Sequence, residues 1–123
     1  LLEQRSERLE GIINVTGGDG EERFSYARQL STQFARNREL VGEVLDLWLS
    51  WWRDVLLIKV GCPQFITNAD RETMLNNYAR GYTLGQIRNL ISSIQTTLEL
   101  LRKNANAQLT LEVLMLNIPG RGE

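Results

Sequence analysis

Carboxylates, one thiol and scattered arginines are the chemically capable side chains of this sequence, and the partners that would make them a catalytic set are missing. There is no histidine, so neither a Ser-His nor a Cys-His nucleophile–base pair can form. The single cysteine, Cys62, cannot build the usual zinc sites and has no second thiol for an internal disulfide; a buried, inert thiol is expected. General acid–base work needs two carboxylates whose surroundings push their proton affinities apart. Glu21 with Glu22 and Glu39 with Glu43 lie instead on predicted polar helix faces, and Asp70 beside Arg71 and Glu72 reads as a helix start. The run TGGDG at 16–20 is too short for a phosphate-binding loop and lacks its lysine, which leaves a turn. Arg5, Arg8, Arg28, Arg36 and Arg38 offer a modest basic patch, diluted by Glu7, Glu10 and Glu39. The expectation is a chain with no catalysis, no cofactor, no metal and no small-molecule substrate.

Bulk composition points the same way. Fourteen basic against 15 acidic residues leave a net charge of −1, which gives no general electrostatic reason to bind nucleic acid or an anionic membrane. Hydrophobic residues at 42% and charged ones at 24% describe an ordinary globular chain, and 123 residues amount to one domain. A lone cysteine fits the reducing cytoplasm. The opening LLEQRSERLE is charged and amphipathic, unlike a secretory leader. A start without methionine and a glycine-rich end, GRGE, read as a piece of a longer protein, whose function belongs to the whole.

With so little chemistry to position, the helices become the informative feature. In ELVGEVLDLWLSWWRDVLLIK at 39–59, Glu39, Glu43, Asp46, Ser50 and Arg53 recur at alternating steps of four and three, with Asp54 beside the last. Nearly everything else there is apolar, so this helix must be covered on several sides and is expected at the centre of an all-α domain. Glu43, Asp46, Arg53 and Asp54 inside it exclude a membrane span, and a mainly acidic polar face argues against a membrane-surface helix. Periodicity predicts helices near 1–15, 21–36, 38–60, 69–80, 84–103 and 107–118, a bundle of about five to six helices, with no strand-like alternation. Asn37 is placed to cap the third helix, and Gly61-Cys62-Pro63 to end it. Thr67-Asn68-Ala69-Asp70 is read as a variant capping box for the fourth helix, and Thr83-Leu84-Gly85-Gln86 as one for the fifth.

Two packing surfaces follow. The fifth helix carries Leu84, Ile87, Ile91, Ile94, Leu98 and Leu101, with Leu90 alongside, as a seam expected to pack on the third. The sixth carries Leu109, Val113 and Leu116 on one face and Leu111, Leu114, Met115 and Ile118 on another, which predicts burial on two sides. The three tryptophans of the third helix read first as core. Because Trp is enriched where proteins bind one another, Trp48 and Trp52, with Met115, are also the candidates for a partner interface. Apolar surface left over should form a contiguous exposed patch.

The order of segments resembles the C-terminal helical domain of the bacterial DNA polymerase III delta-prime subunit family, a clamp-loader component. The resemblance is carried by LWLSWWRDVLLIKVGC at 47–62, ITNADR at 66–71 and NANAQLTLEVLMLNIPG at 104–120. It covers 21–120 as a helical collar domain and leaves 1–20 as a lead-in helix and turn within one domain. The related gamma/tau subunit has a comparable C-terminal element. The resemblance implies a collar that holds other clamp-loader subunits together in DNA replication, as part of the polymerase III holoenzyme. It places contacts with the sliding clamp and DNA in AAA+ modules outside this sequence. A free-standing helical adaptor or regulatory module with a peptide groove is the alternative, and an enzyme working through acidic residues is a third.

Overall fold

The computed structural model describes residues 2–119. Within them the chain forms six α-helices: α1 (Leu2–Thr16), α2 (Gly20–Arg36), α3 (Arg38–Lys59), α4 (Glu72–Gly81), α5 (Leu84–Arg102) and α6 (Ala107–Leu116). Short 3₁₀ turns at Pro63–Phe65 and Ala69–Arg71 fill the α3–α4 connection. The fold is the expected all-α bundle, and no strand interrupts it among the described residues. No helix there is long and apolar enough to cross a membrane.

Local chemistry sets most helix ends. Asp19 caps α2 by accepting the Glu22 N–H at 2.9 Å, and Asn37 caps α3 by accepting that of Leu40 at 3.2 Å. Thr83 and Gln86 form the reciprocal capping box that opens α5. Gly61, at φ +85°, lets α3 stop sharply: the Cys62 N–H reaches back to the Leu57 carbonyl and that of Gly61 to Ile58. Asn104, at φ +62°, ends α5 with the same pair of back-bonds, from Ala105 to Leu100 and from Asn104 to Leu101.

The start of α4 differs from the expectation. Thr67 and Asn68 do not cap it; both their N–H groups are held by Asp54 of α3. Residues 69–71 therefore turn as 3₁₀, and α4 begins at Glu72 with no side-chain cap.

α3 is the central element, contacting α1, α2, α4 and α5, while α6 packs on α2 and α5 at the outside. Trp48, Trp51 and Trp52 are fully buried. Trp51 meets Tyr78 edge-on at 5.5 Å between ring centres, and Trp52 meets Tyr82 the same way at 5.2 Å. The Trp48 Nε1–H donates to the Tyr26 hydroxyl at 2.9 Å, whereas the Nε1–H groups of Trp51 and Trp52 are buried without a hydrogen-bond acceptor.

The deepest line of α5 is Ile87, Leu90, Ile94, Thr97 and Leu101, which keeps Ile87, Ile94 and Leu101 of the expected seam and adds Thr97. Ile91 and Leu98 are half-buried at its edge and Leu84 is exposed, because α5 is shared between α3 and α6 and turns a second side inward. Thr97 tolerates burial because its hydroxyl donates to the Ser93 carbonyl at 2.8 Å.

A candidate protein-docking face

The partner candidates Trp48, Trp52 and Met115 are 0%, 0% and 1% exposed, which meets the first reading of the tryptophans as core and leaves none of the three on the surface of this chain. The physical reason is position. α3 lies at the centre of the bundle with its tryptophans turned toward its neighbours, and Met115 is on the inner side of α6.

The outer side of α6 is where apolar surface remains. Leu111, Leu114, Met115 and Ile118 are at most 3% exposed, while Leu109, Val113 and Leu116 are 59%, 46% and 67% exposed. Steps of four and three put the exposed three on one helical stripe. Leu109 and Val113 line one groove with Leu100 of α5, itself 41% exposed. Between the helices runs an open groove of about 360 Å³, walled by Ser92, Ser93 and Thr96 of α5 and by Leu109 and Val113 of α6. None of its lining residues is charged. Such a trough, mixing leucine and valine with serine and threonine hydroxyls, has the size and neutrality to receive a helix ridge and offers no titratable acid or base.

α6 is short, and its orientation depends on three polar anchors. Asn106 caps it by accepting the Leu109 N–H at 2.9 Å. Arg38 of α3 donates to the Leu101 carbonyl at 3.0 Å and to Asn104 Oδ1 at 2.9 Å, fixing the α5–α6 corner while stacking its guanidinium over Phe34 at 4.9 Å. Arg23 of α2 donates to the carbonyls of Thr16 and Ile118, each at 2.9 Å, and to Val15 at 3.3 Å, which ties the ends of α1 and α6 together. Cations at helix C-terminal ends oppose the partial negative charge there. Lys59 repeats the device on α4, donating to the Ala79 carbonyl at 2.8 Å.

The chemically capable residues are dispersed. Arg5 donates to Asn68, Arg8 stands 3.6 Å from Glu43, and Arg38 is committed to the α5 end; Arg28 and Arg36 are exposed elsewhere on α2. Arg5 and Arg8 share one surface depression with Glu43 and Asp46, so acidic side chains stand among these arginines. Glu21, Glu22, Glu39 and Glu43 are exposed, Asp70 lies 3.9 Å from Arg71, and Cys62 is half-buried.

Sequence reasoning missed Asp54. Placed with the polar stripe, it is in fact 1% exposed, accepting the N–H of Thr67 at 2.9 Å, that of Asn68 at 2.7 Å and the Asn68 side-chain amide at 2.7 Å. Asn68, fully buried, also reaches Ser50 and accepts from Arg5. A signal was present: Asp54 follows Trp51 by three and precedes Val55, on the apolar side of the helix. Its burial is tolerated because every hydrogen bond it accepts is charge-assisted.

The family described as DNA polymerase III, delta subunit, C terminal matches the chain over residues 1–119. No curated protein and no solved structure matches it.

Proposed function

The chain belongs to the family of C-terminal domains of the DNA polymerase III delta subunit, and from that premise we propose that it is the oligomerisation collar of a clamp-loader component of the delta-prime type. Residues 21–120 make the collar domain proper and 1–20 lead into it. The lead-in and the collar share one core, in which Leu9 and Ile12 of α1 are at most 1% exposed. Other clamp-loader subunits are its partners; contacts with the sliding clamp and DNA fall to modules outside this sequence, and the whole works in the cytoplasm. The delta-prime assignment is supported by WWRD and ITNADR, two separated parts of the resemblance that Asp54 joins physically through Thr67 and Asn68.

The observation that carries a collar role is the doubly apolar α6. A helix with one face in the core and Leu109, Val113 and Leu116 left outside lacks a cover that a neighbouring subunit supplies. No charge in the adjoining groove opposes that contact. The test is reconstitution of the full-length subunit with purified loader subunits, comparing wild type with the double variant Leu109→Ser, Val113→Ser by size-exclusion chromatography. Lost assembly with an unchanged melting temperature is expected; assembly identical to wild type would overturn the docking role of this face.

A further inference from the structure

The two halves of α1 are held by different forces. From Leu9 onward the helix is anchored in the core: Leu9, Ile12, Val15 and Thr16 are buried, and Arg23 donates to the Val15 and Thr16 carbonyls. Between Gln4 and Arg8 no side chain is buried. That front stretch has open grooves on both flanks, one of about 330 Å³ toward α2 and one of about 420 Å³ toward α3. What holds it is polar. Arg5 donates to Asn68, Arg8 stands 3.6 Å from Glu43, and Arg71 donates to Ser6 at 2.9 Å and to Glu10 at 2.7 Å.

All but the Arg8 contact end on one short segment. Asn68 and Arg71 bracket the 3₁₀ turn before α4, and α4 itself starts with no side-chain cap. The crossing runs both ways: an arginine of α1 reaches the connection, and an arginine of the connection reaches α1. Ser6 and Glu10 stand one helical turn apart, so a single guanidinium spans both. Opening the front of α1 withdraws these partners and leaves Asn68 to Asp54 and Ser50 of α3.

We propose that the front of α1, Gln4 to Arg8, is a polar latch. It opens about the buried pivot of Leu9 and Ile12 while α2–α6 stay folded, and its state is passed to the start of α4 through Asn68 and Arg71. The device goes beyond the collar reading and does not depend on it, because every contact in it lies within this chain. Salt distinguishes the two halves. The carboxylates in the latch are partly solvated, with the Glu10 and Glu43 side chains 54% and 65% exposed, so salt screens their attraction to arginine. The apolar pivot has no charge to screen. A segment that opens apart from the whole is a two-state element, and coupling between its two ends is reciprocal.

Amide hydrogen exchange followed by NMR on the whole protein tests this, using wild type, Arg71→Gln and Arg5→Gln at low salt and in about 1 M sodium chloride. Arg71→Gln is expected to speed exchange of residues 6–10 about tenfold or more, with amides of α3 and α5 within about twofold of wild type. Arg5→Gln should in turn speed exchange of the Asn68 and Arg71 amides, which are bonded to Asp54 and to the Asn68 carbonyl. Salt should accelerate residues 6–10 in wild type and have a smaller effect in Arg71→Gln. Residues 6–10 unmoved by Arg71→Gln would overturn the latch. Equal acceleration throughout α1–α6 would overturn it too, by showing that these contacts stabilise the whole fold. Asn68 and Arg71 unmoved by Arg5→Gln would reduce the front of α1 to a frayed end and overturn its link to α4. Exchange in wild type that ignores salt would overturn an electrostatic hold.

Discussion

Asp54 holds Asn68 twice through one oxygen, accepting its backbone N–H and its side-chain amide, each at 2.7 Å. The other oxygen accepts the Thr67 N–H at 2.9 Å, so a single carboxylate on the central helix shapes the connection to α4. Asp54→Ala leaves those donors without their acceptor, and charge-assisted bonds of this kind contribute roughly 1.5–3 kcal/mol each. Because water reaches part of the opened site, a total loss of about 3 kcal/mol is expected. Urea unfolding measures it. Asp54→Asn should fall in between, since one oxygen becomes a donor that faces another N–H. A loss below about 1 kcal/mol for the alanine variant would mean that α4 and its connection are ordered without the hub.

A second expectation concerns alkaline pH. Burial raises the Tyr26 hydroxyl above its ordinary value of 10.0, and the hydrogen bond from Trp48 only partly offsets this. The folded state therefore keeps the phenol proton at pH values where the unfolded chain gives it up. Stability from this group is complete below the unfolded value and declines as pH rises through it toward the raised folded value. Melting temperature should fall above about pH 10, and Tyr26→Phe should fall less steeply. Equal slopes for the two proteins would remove Tyr26 as the cause.

The shifted seam of α5 makes a comparative prediction. Ile94 is fully buried and Ile91 only half-buried. Ile94→Ala should cost about 2–5 kcal/mol, as large-to-small changes in packed cores do, with Ile91→Ala clearly below it. Equal costs in chemical denaturation would put Ile91 back at the centre of the seam.

Asn104 allows a test of backbone strain. Its φ of +62° lies in the left-handed region, where a β-branched side chain is disfavoured by roughly 1–2 kcal/mol. Asn104→Val should lose at least that much, because it also deletes the oxygen that Arg38 Nη1 reaches at 2.9 Å. Asn104→Gly should relieve the strain while losing the same contact, and land near wild type in thermal unfolding. A valine variant as stable as the glycine one would show that the corner relaxes freely.

These residues also show what was legible in the sequence. Caps are local, so Asn37, Gly61 and the Thr83–Gln86 box were readable from a few neighbouring residues. The expected Thr67–Asp70 capping box does not form, and the Thr67 N–H that its Asp70 half would accept goes to a long-range acceptor, Asp54. Periodicity showed that α6 has two apolar faces but carries no information on which one meets the core. That choice is made by α2 and α5, which leave Leu109, Val113 and Leu116 outside. The tryptophans were legible as core from the largely apolar circumference of α3, and its enclosure by four neighbouring helices buries all three.

The last prediction separates core from docking face by energy. Trp48 is fully buried and donates to Tyr26, so Trp48→Ala should cost about 3–5 kcal/mol of folding stability through the cavity it leaves. Leu116 is 67% exposed, and Leu116→Ser should stay within about 0.5 kcal/mol of wild type when the protein is studied without partners. Binding reverses the order. Truncation at the centre of an interface commonly costs about 2 kcal/mol or more, so Leu116→Ser should weaken assembly with partner subunits directly. Trp48→Ala should weaken it only in proportion to the fraction unfolded, and cooling below its melting transition should restore it. Calorimetric titration and thermal unfolding on the same two variants make the comparison. A Trp48→Ala protein that is folded yet cannot assemble would return the tryptophan to the interface and move the docking surface away from α6.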